Sequence, residues 1–256
     1  MYDKDMKPFD NTSLLGLSHP TALSHVAETH STNDDLKVAA RNGAPDYTLR
    51  VADRQSFGRG RGEHSFYSEG GLYMSILLPF QEERFSFVTP IAAIAVARAI
   101  SELTGESAKI KWVNDVYVRG KKVCGILSES IVAQGKRRVI CGIGINLNTA
   151  PDAFPEEIRE IAGSISADRS ELAARILKHL YLLLDITDLD TIREEYRALS
   201  FLIDREITVY KEKGCLSATV LGLTEDLSLS VRYKDGTREN LIAGEVGIRL
   251  FEKETH

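Results

Sequence analysis

The stretch of this sequence most suited to chemistry runs from Asp53 to Leu78, DRQSFGRGRGEHSFYSEGGLYMSILL, where a glycine and arginine loop opens directly into an apolar strand. Gly58, Gly60 and Gly62 alternate with Arg59 and Arg61, so the backbone can approach a ligand without Cβ interference while two guanidiniums flank Gly60. In an extended loop Arg59 and Arg61 project to one side, because side-chain direction repeats every second residue. Two planar cationic forks on one face suit a phosphate or a carboxylate. A basic surface loop or an RNA-contacting segment fits the local pattern equally well. The formal net charge of -5 and pI near 5.8 argue against RNA, since they leave no broad basic footprint.

Two further stretches carry polar residues in unusual settings. In VAETHSTNDDLKVAARNG a short strand runs into a helix, with Thr32 or Asn33 as the cap, Asp34 and Asp35 in the first turn and Gly43 at the end. Ser31, Thr32 and Asn33 are either this cap alone or also a set of neutral donors and acceptors for a ligand. In KIKWVNDVYVRGKKVCGILSES, Lys111 lies between Ile110 and Trp112, and a lysine on an inner strand needs an anionic partner or a route to solvent. An exposed strand face is the alternative. Downstream, VICGIGINLN reads as a buried strand in which Gly142 and Gly144 allow close backbone approach. Its Asn146 either contacts a ligand or satisfies backbone groups at the strand end.

Several elements must position these residues. Thr48 to Ala52 reads as the strand delivering the loop, and Leu72 to Leu78 as the strand leaving it. Thr89-Pro90 opens an alanine-rich helix closed by Gly105, with Ile91, Ile94, Ala95 and Leu103 as a buried stripe. Pro151 to Ser200 reads as helical, with Leu172, Ile176, Leu180 and Leu183 on one face and His179 as a partly exposed helix residue. Around Phe201 the character changes to short β runs, with Asp235-Gly236 as a hairpin signal. The expected division is therefore a catalytic domain over residues 1–200 and a small β domain over 201–256.

At 256 residues and 43% hydrophobic, the chain can bury a substantial core. No apolar run in the sequence approaches a membrane span, and the first residues lack a signal-peptide core. Cys124, Cys141 and Cys215 lack metal-ligand spacing, which favours a reduced cytoplasmic setting. There is no GxxxxGK[ST] phosphate loop.

Together, Ser31-Thr32-Asn33, GRGRGEHSFYSEGGLYMS, KWVND followed by the K-hydrophobic-GIL-E pattern at KVCGILSE, and GIGINLN resemble the motifs of biotin protein ligases over roughly residues 26 to 250. Departures occur at Glu63, His64 and Glu69 in the loop and at Val113, where the family has proline. The resemblance implies an α+β fold: a mixed central sheet flanked by helices, of the class II synthetase-like kind, with a C-terminal SH3-like β-barrel. It implies that ATP activates biotin as biotinyl-5'-AMP and that biotin passes to a lysine of a biotin carboxyl carrier protein or domain of a biotin-dependent carboxylase. By the resemblance, biotin is bound by Ser31, Thr32, Asn33, Gln55, Arg59, Gly60, Arg61, Lys111 and Gly125. The adenylate contacts Gly58, Arg59, Arg61, Trp112, Asn114 and Asn146, and Lys111, Arg59 and Arg61 are the catalytic cations. Mg²⁺ is expected with the triphosphate, without assignable ligands. The chain resembles the monofunctional type, with no DNA binding expected, no membrane association and homodimers permitted by the family. A lipoate or octanoate ligase and a non-catalytic biotin sensor are the rival readings.

Overall fold

A computed structural model of the chain describes residues 9–19, 21–58, 70–211, 214–242 and 247–250. Its elements are β1 (Leu23–Thr29), α1 (Thr32–Arg41), β2 (Leu49–Gln55), β3 (Gly71–Pro79), α2 (Val88–Thr104), β4 (Ala108–Lys111), β5 (Asp115–Val118), β6 (Lys121–Ala133) and β7 (Lys136–Asn146). There follow α3 (Glu156–Arg159), α4 (Arg169–Asp185), α5 (Leu189–Leu199), β8 (Glu206–Lys211), β9 (Gly214–Leu223), β10 (Leu229–Tyr233), β11 (Arg238–Leu241) and β12 (Gly247–Leu250). The first seven strands form one mixed sheet in the order β1-β2-β3-β7-β6-β5-β4, parallel only between β1 and β2.

Alternation along the strands divides the sheet into two faces. Leu72, Met74 and Ile76 of β3 and Cys141, Ile143 and Ile145 of β7 join α2 and α4 in the main apolar core. Leu77 and Ile140 point the other way and pack with Leu36 and Ala40 of α1. α1 therefore covers one face, and the longer helices cover the other.

α2 ends where the sequence stops it, with Gly105 in the left-handed conformation at φ 72°. Its burial is more complete than the expected stripe, because sheet, α4 and α5 all pack on it: Ile91, Ile94 and Ala95 are enclosed together with Ala92, Ala93 and Val96. Glu82–Thr104 is long and apolar enough to cross a membrane by composition, contrary to the sequence expectation, but 67% of its apolar window is buried inside the fold. α4 is capped by Asp168, whose carboxylate accepts from the amides of Ser170 and Glu171 at 2.9 and 3.0 Å. Leu172, Ile176, Leu180 and Leu183 are fully buried, as expected. His179 corrects the reading of a partly exposed residue. It is buried, and its Nε2 lies 3.0 Å from Glu102 Oε1 on α2, a contact that holds the Glu102 carboxyl below its ordinary range.

The C-terminal strands form an antiparallel sheet in the order β11-β10-β9-β8-β12. The expected barrel is open here, since no ladder joins β11 to β12 among the described residues. The KWVND turn and the strand before it are held by the β9–β10 turn, by α5 and by the segment after α5. Trp112 Nε1 donates to Leu227 O at 2.8 Å, Tyr196 Oη donates to Val113 O at 3.1 Å, and the Phe201 amide donates to Ile110 O at 3.3 Å.

Candidate active site

The face covered by α1 also carries a cleft, and the strand register explains why it is there. Gly125 of β6 pairs with Gly144 of β7, and one row along Leu127 pairs with Gly142, which pairs with Ser75 of β3. Three of these neighbouring positions lack side chains, so the sheet surface is bare where its neighbours are filled. The open space amounts to about 350 Å³, lined by Ser31, Thr32, Asn33, Gln55, Gly125, Leu127, Gly142, Ile143 and Gly144. Gly142 is required for a second reason. A Cβ there would strike Asn33 Oδ1.

α1 brings its first residues to the rim. The cap is Ser31, not Thr32 or Asn33, and its side chain makes no capping bond. Thr32 and Asn33 are thus released for other contacts. The Thr32 amide and hydroxyl both donate to Gln55 Oε1, at 2.9 and 3.1 Å, tying the helix start to the end of β2. Ser75 Oγ lies 2.6 Å from both Thr32 Oγ1 and Asn33 Oδ1 and shares its proton between them. Asn33 Nδ2 donates to Glu129 Oε2 at 2.8 Å and to Leu127 O at 3.3 Å. Glu129 Oε1 in turn accepts from Lys37 Nζ at 2.8 Å, and Lys37 also meets Asp34 at 3.0 Å. Burial opposes the Lys37 charge, yet these two carboxylates outweigh it and raise its pKa. The rim is a closed network of neutral groups backed by ions.

The lysine end of the cleft face lies across the sheet. Gly125 pairs with Asp115, and Asp115 pairs with Lys111, so Lys111 sits on the cleft face about 10 Å, or two strand spacings, from Gly125. A bulge then alters what the sequence suggests. The register of β5 against β6 slips after Val116, so that Tyr117 faces Lys122, and Lys122 turns to the same face as Asp115 and Gly125. Its Nζ is 2.7 Å from Asp115 Oδ1. Lys122 is a cleft-face cation that the sequence reading passed over.

Other expected residues are placed as supports. Trp112 is buried, with its indole N–H engaged by Leu227 O, so it braces the turn after Lys111 against the C-terminal sheet. The Trp112–Val113 peptide is cis. Asn114 Nδ2 donates to Ile126 O at 3.0 Å and fixes the start of β5 on β6. Asn146 lies two residues past Gly144 on the same face, about 7 Å along β7. Its Nδ2 donates to Gly163 O at 2.9 Å, while its buried Oδ1 has no partner among the described residues and is available as an acceptor. Gly58 is buried at the mouth of the loop. Arg59, Gly60 and Arg61 lie outside the described residues. The strand entering that loop is held by Asp53, which accepts from His25 Nε2 at 2.7 Å and from Arg169 Nη1.

Ser75, Glu129, Lys37 and Lys122 are the site residues to which the sequence reading gave no role, although Lys122 and Glu129 belong to its K-hydrophobic-GIL-E pattern. Ser75 had a visible signal, as the lone hydroxyl in the apolar run LYMSILL. Lys122 stands three residues before Gly125, but only the bulge shows which way it points.

The site is thus a glycine-floored cleft in a mixed sheet, with a neutral polar rim and lysines at one end. Residues 26–146 match the Biotin/lipoate A/B protein ligase family. The bifunctional ligase/repressor BirA of Bacillus subtilis is 40% identical over 161 residues, covering 59% of this chain and 49% of that protein. The biotin--[acetyl-CoA-carboxylase] ligase of Mycobacterium tuberculosis is 28% identical over 218 residues, covering 80% and 79%. Among solved structures, the biotin protein ligase from Aquifex aeolicus in complex with biotin and ATP superimposes with a TM-score of 0.77 at 29% identity, covering 90% of this chain and 99% of that one. The chain spans about half the length of the Bacillus relatives it matches.

Proposed function

We propose that this chain is an ATP-dependent biotin protein ligase, with its catalytic domain over residues 1–200 and the β domain over 201–256. The observation that carries the reading is the rim of Ser31, Thr32, Asn33 and Gln55 over a floor of Gly125, Gly142 and Gly144. A cyclic urea offers two N–H donors and one carbonyl acceptor, and this rim offers hydroxyls, an amide oxygen and a backbone approach at that scale. A hydrocarbon acyl chain would bring no donor or acceptor to the spare lone pairs of this rim, which argues against lipoate or octanoate.

In this reading the valerate carboxylate points toward Gly125, Lys122 and Lys111. One of its oxygens attacks the α-phosphorus of ATP, forming the acyl-phosphate bond of biotinyl-5'-AMP as the bond to pyrophosphate breaks. The acceptor lysine amine of a carboxyl carrier domain then attacks the acyl carbon, forming the amide, releasing AMP and losing a proton. The first step must bring anions together. At about 4 Å and an effective dielectric near 20, each unit charge pair is worth on the order of 4 kcal/mol, so Lys122 and Lys111, with Arg59 and Arg61 from the loop, offset much of the repulsion. Asn146 Oδ1 suits the adenine amino group. Mg²⁺ belongs with the ATP phosphates in this scheme. Among the described residues no cluster of three His, Cys, Asp or Glu side chains is placed to hold an ion of its own. Three free cysteines, two of them buried, fit a reducing cytoplasm.

The test is biotin-dependent exchange of labelled pyrophosphate into ATP, run beside lipoate and octanoate. Exchange with biotin alone supports the assignment. Saturable biotin binding without exchange moves the reading to a sensor, and exchange with lipoate or octanoate instead moves it to their ligases.

A further inference from the structure

Glu129 makes no contact in the reaction scheme, yet it is the hub behind the cleft's most constrained side chain. Asn33 is almost fully enclosed, and its two amide hydrogens are both used, toward Glu129 Oε2 and Leu127 O. Its Oδ1 faces Ser75 Oγ and lies over the bare backbone of Gly142 in the cleft floor. The flipped amide would set its oxygen against a carboxylate and a carbonyl, three acceptors without a hydrogen among them. The carboxylate cannot turn away, because Lys37 holds its other oxygen at 2.8 Å, and Lys37 is itself seated on Asp34 in the first turn of α1.

We infer that Glu129, held by Lys37, is a positioning residue that fixes Asn33 with its oxygen toward the cleft and thereby makes the site select ligands bearing a ring N–H at that point. The inference rests on the biotin reading of the cleft. Asn33 Oδ1 has one lone pair for Ser75 and one for the ligand, so the site offers an acceptor where an unconstrained amide would offer either polarity. A methyl group on that ring nitrogen removes the N–H from which the fixed oxygen accepts and sets a carbon against it, so the oxygen's second lone pair goes unused.

The discriminating measurement is calorimetric binding of biotin and of biotin methylated on a ureido nitrogen, to the full chain and to its Glu129→Gln and Lys37→Met variants, with thermal melts alongside. Glutamine keeps the volume of Glu129 but places an NH₂ against either Lys37 or Asn33. The wild-type chain is expected to prefer biotin strongly. Glu129→Gln should reduce that preference at least about tenfold, through weaker biotin binding and unchanged or tighter binding of the methylated ligand. Lys37→Met should move it the same way by a smaller factor, and KM for ATP should stay constant in both. If Glu129→Gln folds and keeps the wild-type preference, or loses both ligands equally, Glu129 is no more than a structural support and the inference is overturned. If the wild-type chain binds neither ligand, the biotin reading itself fails.

Discussion

The two faces of the seven-stranded sheet are built from the same strands and do opposite work. On one, Leu72, Met74 and Ile76 of β3 and Cys141 and Ile145 of β7 meet α2 and α4 with every side chain apolar. On the other, the alternate residues Tyr73, Ser75, Gly142, Gly144 and Asn146 include hydroxyls, an amide and bare backbone. Strand periodicity thus separates an apolar packing face from a polar cleft face at single-residue intervals. Glycines weaken a strand, and they are tolerated here because the opposite face and the three ladders β3-β7, β7-β6 and β6-β5 secure β6 and β7.

Adjacent substitutions on β3 test that separation. Ile76→Ala should cost about 2–5 kcal/mol of stability by leaving a cavity, seen as a lower urea midpoint, while biotin binding by the remaining folded protein stays at the wild-type level. Loss of binding without loss of stability would break the comparison. On the cleft face, Lys122→Ala should lower pyrophosphate exchange by about 10²–10³-fold with little change in melting temperature. Lys111→Ala run in parallel shows how the anion load divides between the two lysines. If only Lys111 matters, the bulge that turns Lys122 to the cleft has no catalytic meaning.

Ser75→Ala should weaken biotin binding by roughly five- to thirtyfold, about 1–2 kcal/mol, because Thr32 and Asn33 lose their shared donor. Its effect on the urea midpoint should be smaller than that of Ile76→Ala. The smallest effect is in pH. Burial raises the Cys141 thiol from 9.0 to about 11 and the Tyr181 hydroxyl from 10.0 to about 12, and pushes Cys124 the same way. The folded state then holds these protons more tightly than the unfolded chain does, so their contribution is complete below about pH 9 and is lost as pH rises through 11 and 12. Urea midpoints should be level up to about pH 9 and fall above it. At neutral pH a thiol reagent should label Cys215 alone until the chain unfolds. Native labelling of Cys141 would show that the apolar face is open.

Legibility in the sequence followed the range of the interaction. Pro90 and Gly105 act through their own backbone angles, and α2 begins and ends beside them. The Ser31-Thr32-Asn33 triplet was visible because it interrupts a strand-to-helix junction with three small polar residues. Its capping assignment was off by one residue, since the choice among three capable side chains depends on what else each can bond, and Gln55 and Ser75 engage Thr32. His179 looked exposed because α4 is amphipathic, and only its neighbour Glu102 on α2 explains a buried imidazole there.

Glu129 and Lys122 mark the limit most clearly. Both are charged residues in strands, which by sequence alone fit a solvated face as well as a site. A register slip of one residue decides that Lys122 shares a face with Gly125, and an approach of α1 to β6 decides that Glu129 meets Asn33. The amino-acid sequence by itself determined the order of elements, the buried alternation and the presence of a glycine-floored strand pair, because propensity and periodicity are local. Which polar groups converge, and with what polarity they face a ligand, was decided only by the tertiary structure, because hydrogen bonds between residues some forty to a hundred positions apart depend on register and packing that no local pattern encodes.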